Sequence, residues 1–200
     1  MARKTNLGEL VQQLRGEVGY SLTAALGSAN RDVLIAVIQR TQRKLWEDFA
    51  WPFMRVKSDI ASSNALRYYN IPSNLTCERI EKIEFKDGGY WRPLDYGIGG
   101  AQLSVHDSDT AEEGWPVTRW EIFGEDQFEV WPIANTNCTA STLEGYFRLT
   151  GIKNLAALVD DDDRADLDDH LIILYAAAEL LARNKAADAE AKLANANTHY

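Results

Sequence analysis

The residues best equipped to do chemistry are the aspartates of Asp160-Asp161-Asp162-Asp163-Arg164-Ala165-Asp166-Leu167-Asp168-Asp169. Carboxylates at that density are ligands for hard cations. A calcium loop of the helix-loop-helix kind, however, needs ligands at alternating positions, a central glycine and a terminal glutamate. Here the aspartates are largely contiguous and no glycine interrupts them. The expected role is solvated charge at the start of a helix, where the partial positive charge of the backbone N–H groups favours carboxylates. His106, His170 and His199 are far apart in sequence, and none pairs with another at metal-ligand spacing. His170 reads as a surface or interface residue. No serine stands in a Gly-x-Ser-x-Gly elbow, and Cys77 and Cys138 lack the flanks of catalytic thiols. Gly97-Ile98-Gly99-Gly100 has the glycines of a phosphate loop but neither its Lys-Ser/Thr nor the dinucleotide spacing, so a flexible turn is expected. No residue is assigned to catalysis, a cofactor or a metal.

Aromatic recognition is the remaining chemistry. Trp91, Trp115, Trp120 and Trp131 all fall in the middle of the chain. They suit a small β core and an interface, because large aromatics dominate both. The alternative is a platform for sugar rings, which would make the chain a carbohydrate-binding or receptor-type accessory module. Trp120 and Trp131 flank one turn on paired strands and are expected on one face.

The chain has 200 residues, 46% hydrophobic and 26% charged, the composition of a soluble globular protein with a real core. A net charge of −9 argues against a surface that grips phosphates. It suits solubility, an acidic interface, or a surface along which DNA moves without sticking. No apolar run approaches the roughly 18 residues needed to cross a bilayer, so no membrane is expected. The basic start, Met1 to Asn6, leads into an amphipathic segment rather than a signal peptide. The two cysteines read as free thiols in a reducing compartment.

The elements that position these residues follow from periodicity. Asn6 and Glu9 form a capping box for a first helix carrying Leu7, Leu10, Val11 and Leu14, ended by Gly16 and Gly19. After a small polar loop, Asn30 caps a second helix. Leu34, Ile38, Thr41, Leu45 and Phe49 share one of its faces, and Arg31, Arg40, Arg43 and Lys44 ride elsewhere. Pro52 stops it. The period then changes to two. Strands are expected at 53–60, 65–72, 79–85 and 90–94, with a hairpin turn at Lys86-Asp87-Gly88-Gly89. A loop from Asp95 to Gly114 is partly helical near 98–105, or projects onto another subunit. Two alternating runs around Gly124-Glu125-Asp126-Gln127 form a second hairpin, and 141–150 is a last strand. A long C-terminal helix starts within the aspartate run, on a stripe of Leu167, Leu171, Leu174, Ala178 and Leu181. From Ala182 it is rich in alanine and lysine, with strong helix propensity and few apolar side chains.

Together these predict an α+β fold. Helices from 1–52 and 153–200 form a bundle, and an antiparallel β-barrel or sandwich-like subdomain, 53–152, is inserted between them.

That order resembles the head-to-tail adaptor (connector, or tail-tubular A) proteins of tailed bacteriophages, particularly the short-tailed kind. The likeness runs from about residue 7 to about 190. It rests on Arg43-Lys44-Leu45-Trp46-Glu47-Asp48-Phe49-Ala50-Trp51-Pro52-Phe53, Ile71-Pro72, Arg79-Ile80-Glu81-Lys82-Ile83, Gly114-Trp115-Pro116, Trp120, Val130-Trp131-Pro132 and Gly145-Tyr146-Phe147. The resemblance implies a structural virion protein of the neck, assembled in the host cytoplasm, with no catalytic residues. About twelve copies would form a homo-oligomeric ring that binds the portal above and a tail or nozzle protein below. DNA would pass through the ring without sequence-specific binding. Its contacts are expected from Trp91, Trp115, Trp120 and Trp131, the basic face at Arg31, Arg40, Arg43 and Lys44, the acidic Asp161 and Asp162, and the tail at Lys192 and Tyr200. The acidic segment and the basic helix would supply the two complementary surfaces that a ring requires.

Overall fold

A computed structural model describes residues 3–20, 28–100, 102 and 113–200, with the side chains of 28–30 left undescribed. The protein is α+β and divides into two compact units, Met1–Ala50 with Leu155–Tyr200, and Trp51–Asn154.

In the helical unit, α1 spans Leu7–Val18 and α2 spans Ser28–Asp48. Asn6 caps α1 as expected, its side chain accepting from the Glu9 N–H at 2.8 Å. Gly19 ends the helix in the left-handed region, at φ 77°. α2 begins two residues before Asn30, so Asn30 is not its cap. Leu34, Ile38, Thr41 and Leu45 are buried on one α2 face, whereas Phe49 lies past the helix end and is exposed.

α3 spans Asp169–Arg183 and α4 spans Ala189–His199. The expected single C-terminal helix is therefore two. It starts at the end of the aspartate run rather than within it, because Asp168 caps α3 by accepting from the Leu171 N–H at 3.0 Å. α3 packs against α1, α2 and α4. That explains why Leu171, Ile172, Ile173, Leu174, Ala176, Ala177, Ala178 and Leu180 are all buried: a helix apolar around its girth is a central one.

The β unit opens with a 3-10 turn, Pro52–Met54. Its strands are β1 Arg55–Ala61, β2 Tyr68–Asn70, β3 Leu75–Asp87, β4 Tyr90–Pro93, β5 Asp95–Tyr96, β6 Glu113–Gly114, β7 Arg119–Phe123, β8 Gln127–Trp131, β9 Ile133–Ala134 and β10 Tyr146–Lys153. One sheet has the order β1-β10-β3-β4, a second β2-β8-β7-β5, and β6 pairs with β9. Pairing is antiparallel except at β5–β7 and β6–β9. Among the described residues no sheet closes into a barrel, which corrects that half of the expectation. Ile83, Phe85, Phe147 and Leu149 from the first sheet share one core with Tyr69, Trp120, Phe128 and Val130 from the second. The expected 65–72 strand shrinks to three residues, since Ala65 adopts φ 57° in the turn before it. β3 is longer than expected, and its pairing with β10 slips between Thr150 and Gly151. There a Cβ on Gly151 would stand 2.6 Å from the Arg79 carbonyl oxygen, so only glycine fits. Most of the 95–114 loop, including its expected helix, lies outside the described residues.

Candidate functional site

The aspartate segment is built from the N-terminus of the chain. Residues 3–8 run beside it: Arg3 bridges Asp168, Asn6 bridges Arg164, and the Ala165 N–H donates to the Thr5 carbonyl at 3.1 Å. This extended strap buries carboxylates that were expected to be solvated. Asp166, Asp168 and Asp169 are 3%, 2% and 3% exposed. Asp166 accepts from Lys4 Nζ at 2.6 Å and from the Ala156 N–H at 2.8 Å. Asp169 accepts from the Thr5 hydroxyl at 2.6 Å and the Thr5 N–H at 3.2 Å. Burial nonetheless pushes its pKa above the ordinary carboxylate value. Asp163 goes the other way. It accepts from the Val159 N–H at 2.6 Å and the Asp160 N–H at 2.7 Å, and these donors hold its pKa down. Among the described residues, no three His, Cys, Asp or Glu side chains are placed to hold a metal ion.

Part of the expected complementarity between basic helix and acidic segment is met inside one chain. Arg31 pairs with Asp161, and Arg40 pairs with Glu179 of α3. Asp162, Arg43 and Lys44 stay exposed. Lys192 of α4 pairs with Glu17 of α1. Tyr200 stands edge-on to Phe49, with ring centroids 6.1 Å apart, and to Tyr175 at 6.4 Å. His170 and His199, remote in sequence, meet at 4.9 Å with perpendicular rings, and His199 Nε2 lies 3.7 Å from Asp168 Oδ1. His106 lies outside the described residues. Between α2, α3 and α4 runs a groove of about 830 Å³. Thr41, Leu45, Tyr175, Ala178 and Leu193 line it, with Lys44, Asp48 and Glu190 among its charged residues.

The tryptophans separate by burial. Trp120 is 5% exposed and belongs to the β core. Trp115 packs edge-on against Phe85 and donates from Nε1 to Asp87 Oδ1 at 2.9 Å. Trp131 faces away from Trp120: in the β7–β8 register Trp120 opposes Val130, while Trp131 opposes Arg119. The expected shared face is therefore corrected, because cross-strand partners share a face and neighbours along a strand do not. Trp91 is half-buried, with the Arg148 guanidinium 3.8 Å from its ring centroid and Lys86 Nζ at 5.7 Å. A cation already covers the ring that a sugar would need. Cys77 and Cys138 are free thiols, as expected.

A profile of the SU10 adaptor protein family matches residues 5–200. The chain belongs to this family of phage head-tail adaptors. No curated protein matches it. Membership makes the adaptor a structural component of a bacteriophage virion, placed between head and tail and in contact with portal and tail proteins. Its match covers the strap from Thr5 onward, both sheets and α4 alike. Sequence reasoning did not find Lys4 and Thr5 as partners of the aspartates, since about 160 residues separate them. It also missed the role of Asp168, although Asp168 three residues before Leu171 is an N-cap signal of the ordinary kind.

Proposed function

We propose that this adaptor forms a homo-oligomeric ring of about twelve copies, the closed assembly that head-to-tail contacts produce. The ring joins the portal to the next tail protein, lets DNA pass through its bore, and is assembled in the host cytoplasm. It performs no reaction. The observation that carries the reading is the adaptor-family match over residues 5–200. The net charge of −9 supports the channel: a negative lining repels phosphates, where a basic one would hold them. The segments 1–52 and 153–200 act together as a helical bundle and 53–152 as the β insertion. Contacts between subunits draw on the exposed Arg43, Lys44 and Asp162, with Arg31, Arg40, Asp161, Lys192 and Tyr200 already engaged within the chain. Of the tryptophans, Trp91 and Trp131 are the contact candidates, because Trp115 and Trp120 serve the core.

The test is sedimentation and negative-stain imaging of the chain alone and mixed with purified portal. Rings seated on the portal are expected. Replacing Arg43 and Lys44 with Glu is expected to weaken ring formation without unfolding either unit. A chain that stays monomeric and never co-sediments with portal would overturn the reading.

A further inference from the structure

The break between α3 and α4 is a turn closed by two backbone hydrogen bonds, Lys185 N–H to the Ala182 carbonyl and Ala186 N–H to the Leu181 carbonyl, but no helix-breaking residue marks it. Ala182 to Ala189 reads Ala-Arg-Asn-Lys-Ala-Ala-Asp-Ala, with no glycine and no proline, and mostly good helix formers. Asn184, at φ −85° and ψ 2°, is close to helical. Asp188 is already in the right-handed α region, and its side chain makes no capping hydrogen bond for α4. Between the two helices, Lys185 alone has a positive φ, 55°. A residue with a Cβ is strained there. Local propensity favours one continuous helix, and the turn opposes it.

What holds α4 back is mainly polar. Lys192 pairs with Glu17, and the Tyr175 hydroxyl donates to Asn197 Oδ1 at 2.8 Å. Tyr200 adds its edge contacts with Phe49 and Tyr175. Ala196 is the only buried residue of α4, and Leu193 is 45% exposed. The groove of about 830 Å³ remains beneath it. A helix that buries a single residue, on a strained hinge with no helix breaker, is suited to exchange its seat for an identical one.

We propose that α3 and α4 join into one helix when copies assemble, and that the α4 of each copy takes on its neighbour the seat it holds in its own chain. This rests on the ring reading above. The occupant is a second copy because the seat is already matched to α4: the neighbour offers the same Glu17, Tyr175 and Phe49. Straightened, residues 184–200 reach about 25 Å past Arg183 at 1.5 Å per residue. An exchange passed from each copy to the next is head-to-tail, and it closes when the rotation does.

Two isotopically distinct preparations, one of natural isotopes and one ¹⁵N-labelled, are mixed, assembled with portal, and treated with a zero-length carbodiimide that joins Lys192 to Glu17. Mass spectrometry then reads whether the linked peptides carry one label or both. Mixed-label links in the rings, with same-label links in residual monomer, are expected. Rings containing only same-label links overturn the exchange and leave the ring intact. Failure to form rings at all overturns both. Lys185→Gly relieves the left-handed residue and weakens the continuous helix, so it is expected to shift assembly toward monomer by about tenfold. Undiminished assembly of that variant also overturns the exchange.

Discussion

At the scale of residues, the aspartate segment holds carboxylates with opposite linkages to stability. Asp163 is kept ionised by two backbone donors, so its contribution is present at neutral pH and lost as pH falls through its lowered pKa. Asp169 has the reverse sign. Burial raises its pKa, so its charged form is a cost at pH 7, and that cost disappears as pH falls through the raised value. Asp169→Asn removes this titration and keeps an acceptor for Thr5. Chemical unfolding of both proteins between pH 7 and pH 4 should show the wild type gaining stability relative to the variant as pH falls. A constant difference would mean that burial of Asp169 does not strain its charge. Its neighbours in the segment are buried with it. Asp166 gives both oxygens to Lys4 and Ala156, whereas Asp168 and Asp169 use one each, on the helix cap and on Thr5, and keep Asp168 Oδ2 and Asp169 Oδ1 buried without a hydrogen-bond partner.

At the scale of elements, regular periodicity reads correctly and irregularity does not. The alternation in 119–131 yields β7 and β8 with Phe123 opposite Gln127 across the turn, as the run of residues implies. The slip in the β3–β10 pairing leaves no such trace, because it depends on two strands about 70 residues apart. Gly151 is where that slip is decided. Gly151→Ala places a methyl group 2.6 Å from a backbone oxygen that has no flexible side chain to yield. A loss of about 1–3 kcal/mol is expected, the usual cost of forcing extra volume into a packed site. Urea denaturation followed by tryptophan fluorescence measures it, and an unchanged midpoint would mean that β10 re-registers freely. The split of α3 from α4 is the other irregularity. Helix propensity predicts continuity through Lys185, and the polar contacts of α4 with α1 and α3 outweigh it within a single copy.

At the scale of the whole molecule, two units each carry their own core. The β unit joins both sheets through Phe85, Phe128 and Phe147, all fully buried and packed ring against ring at 5.0 and 5.6 Å. Its chain enters and leaves at Trp51 and Asn154. A fragment of residues 51–154 should therefore fold alone and unfold cooperatively in urea. A fragment without a cooperative transition would show that its core depends on the helices.

From the residues alone, the α+β class, the order of elements, the apolar faces of α1 and α2 and the likeness to phage adaptors were all legible. These depend on local periodicity and on turn residues, which act over a few positions. Tertiary structure alone decided that the sheets stay open, that Trp120 and Trp131 face apart, that the first residues bury the aspartates, and that the last helix folds back as two. Each of those outcomes rests on groups far apart in sequence competing for one place. Burial and pairing settle that competition in three dimensions, where no local pattern records it.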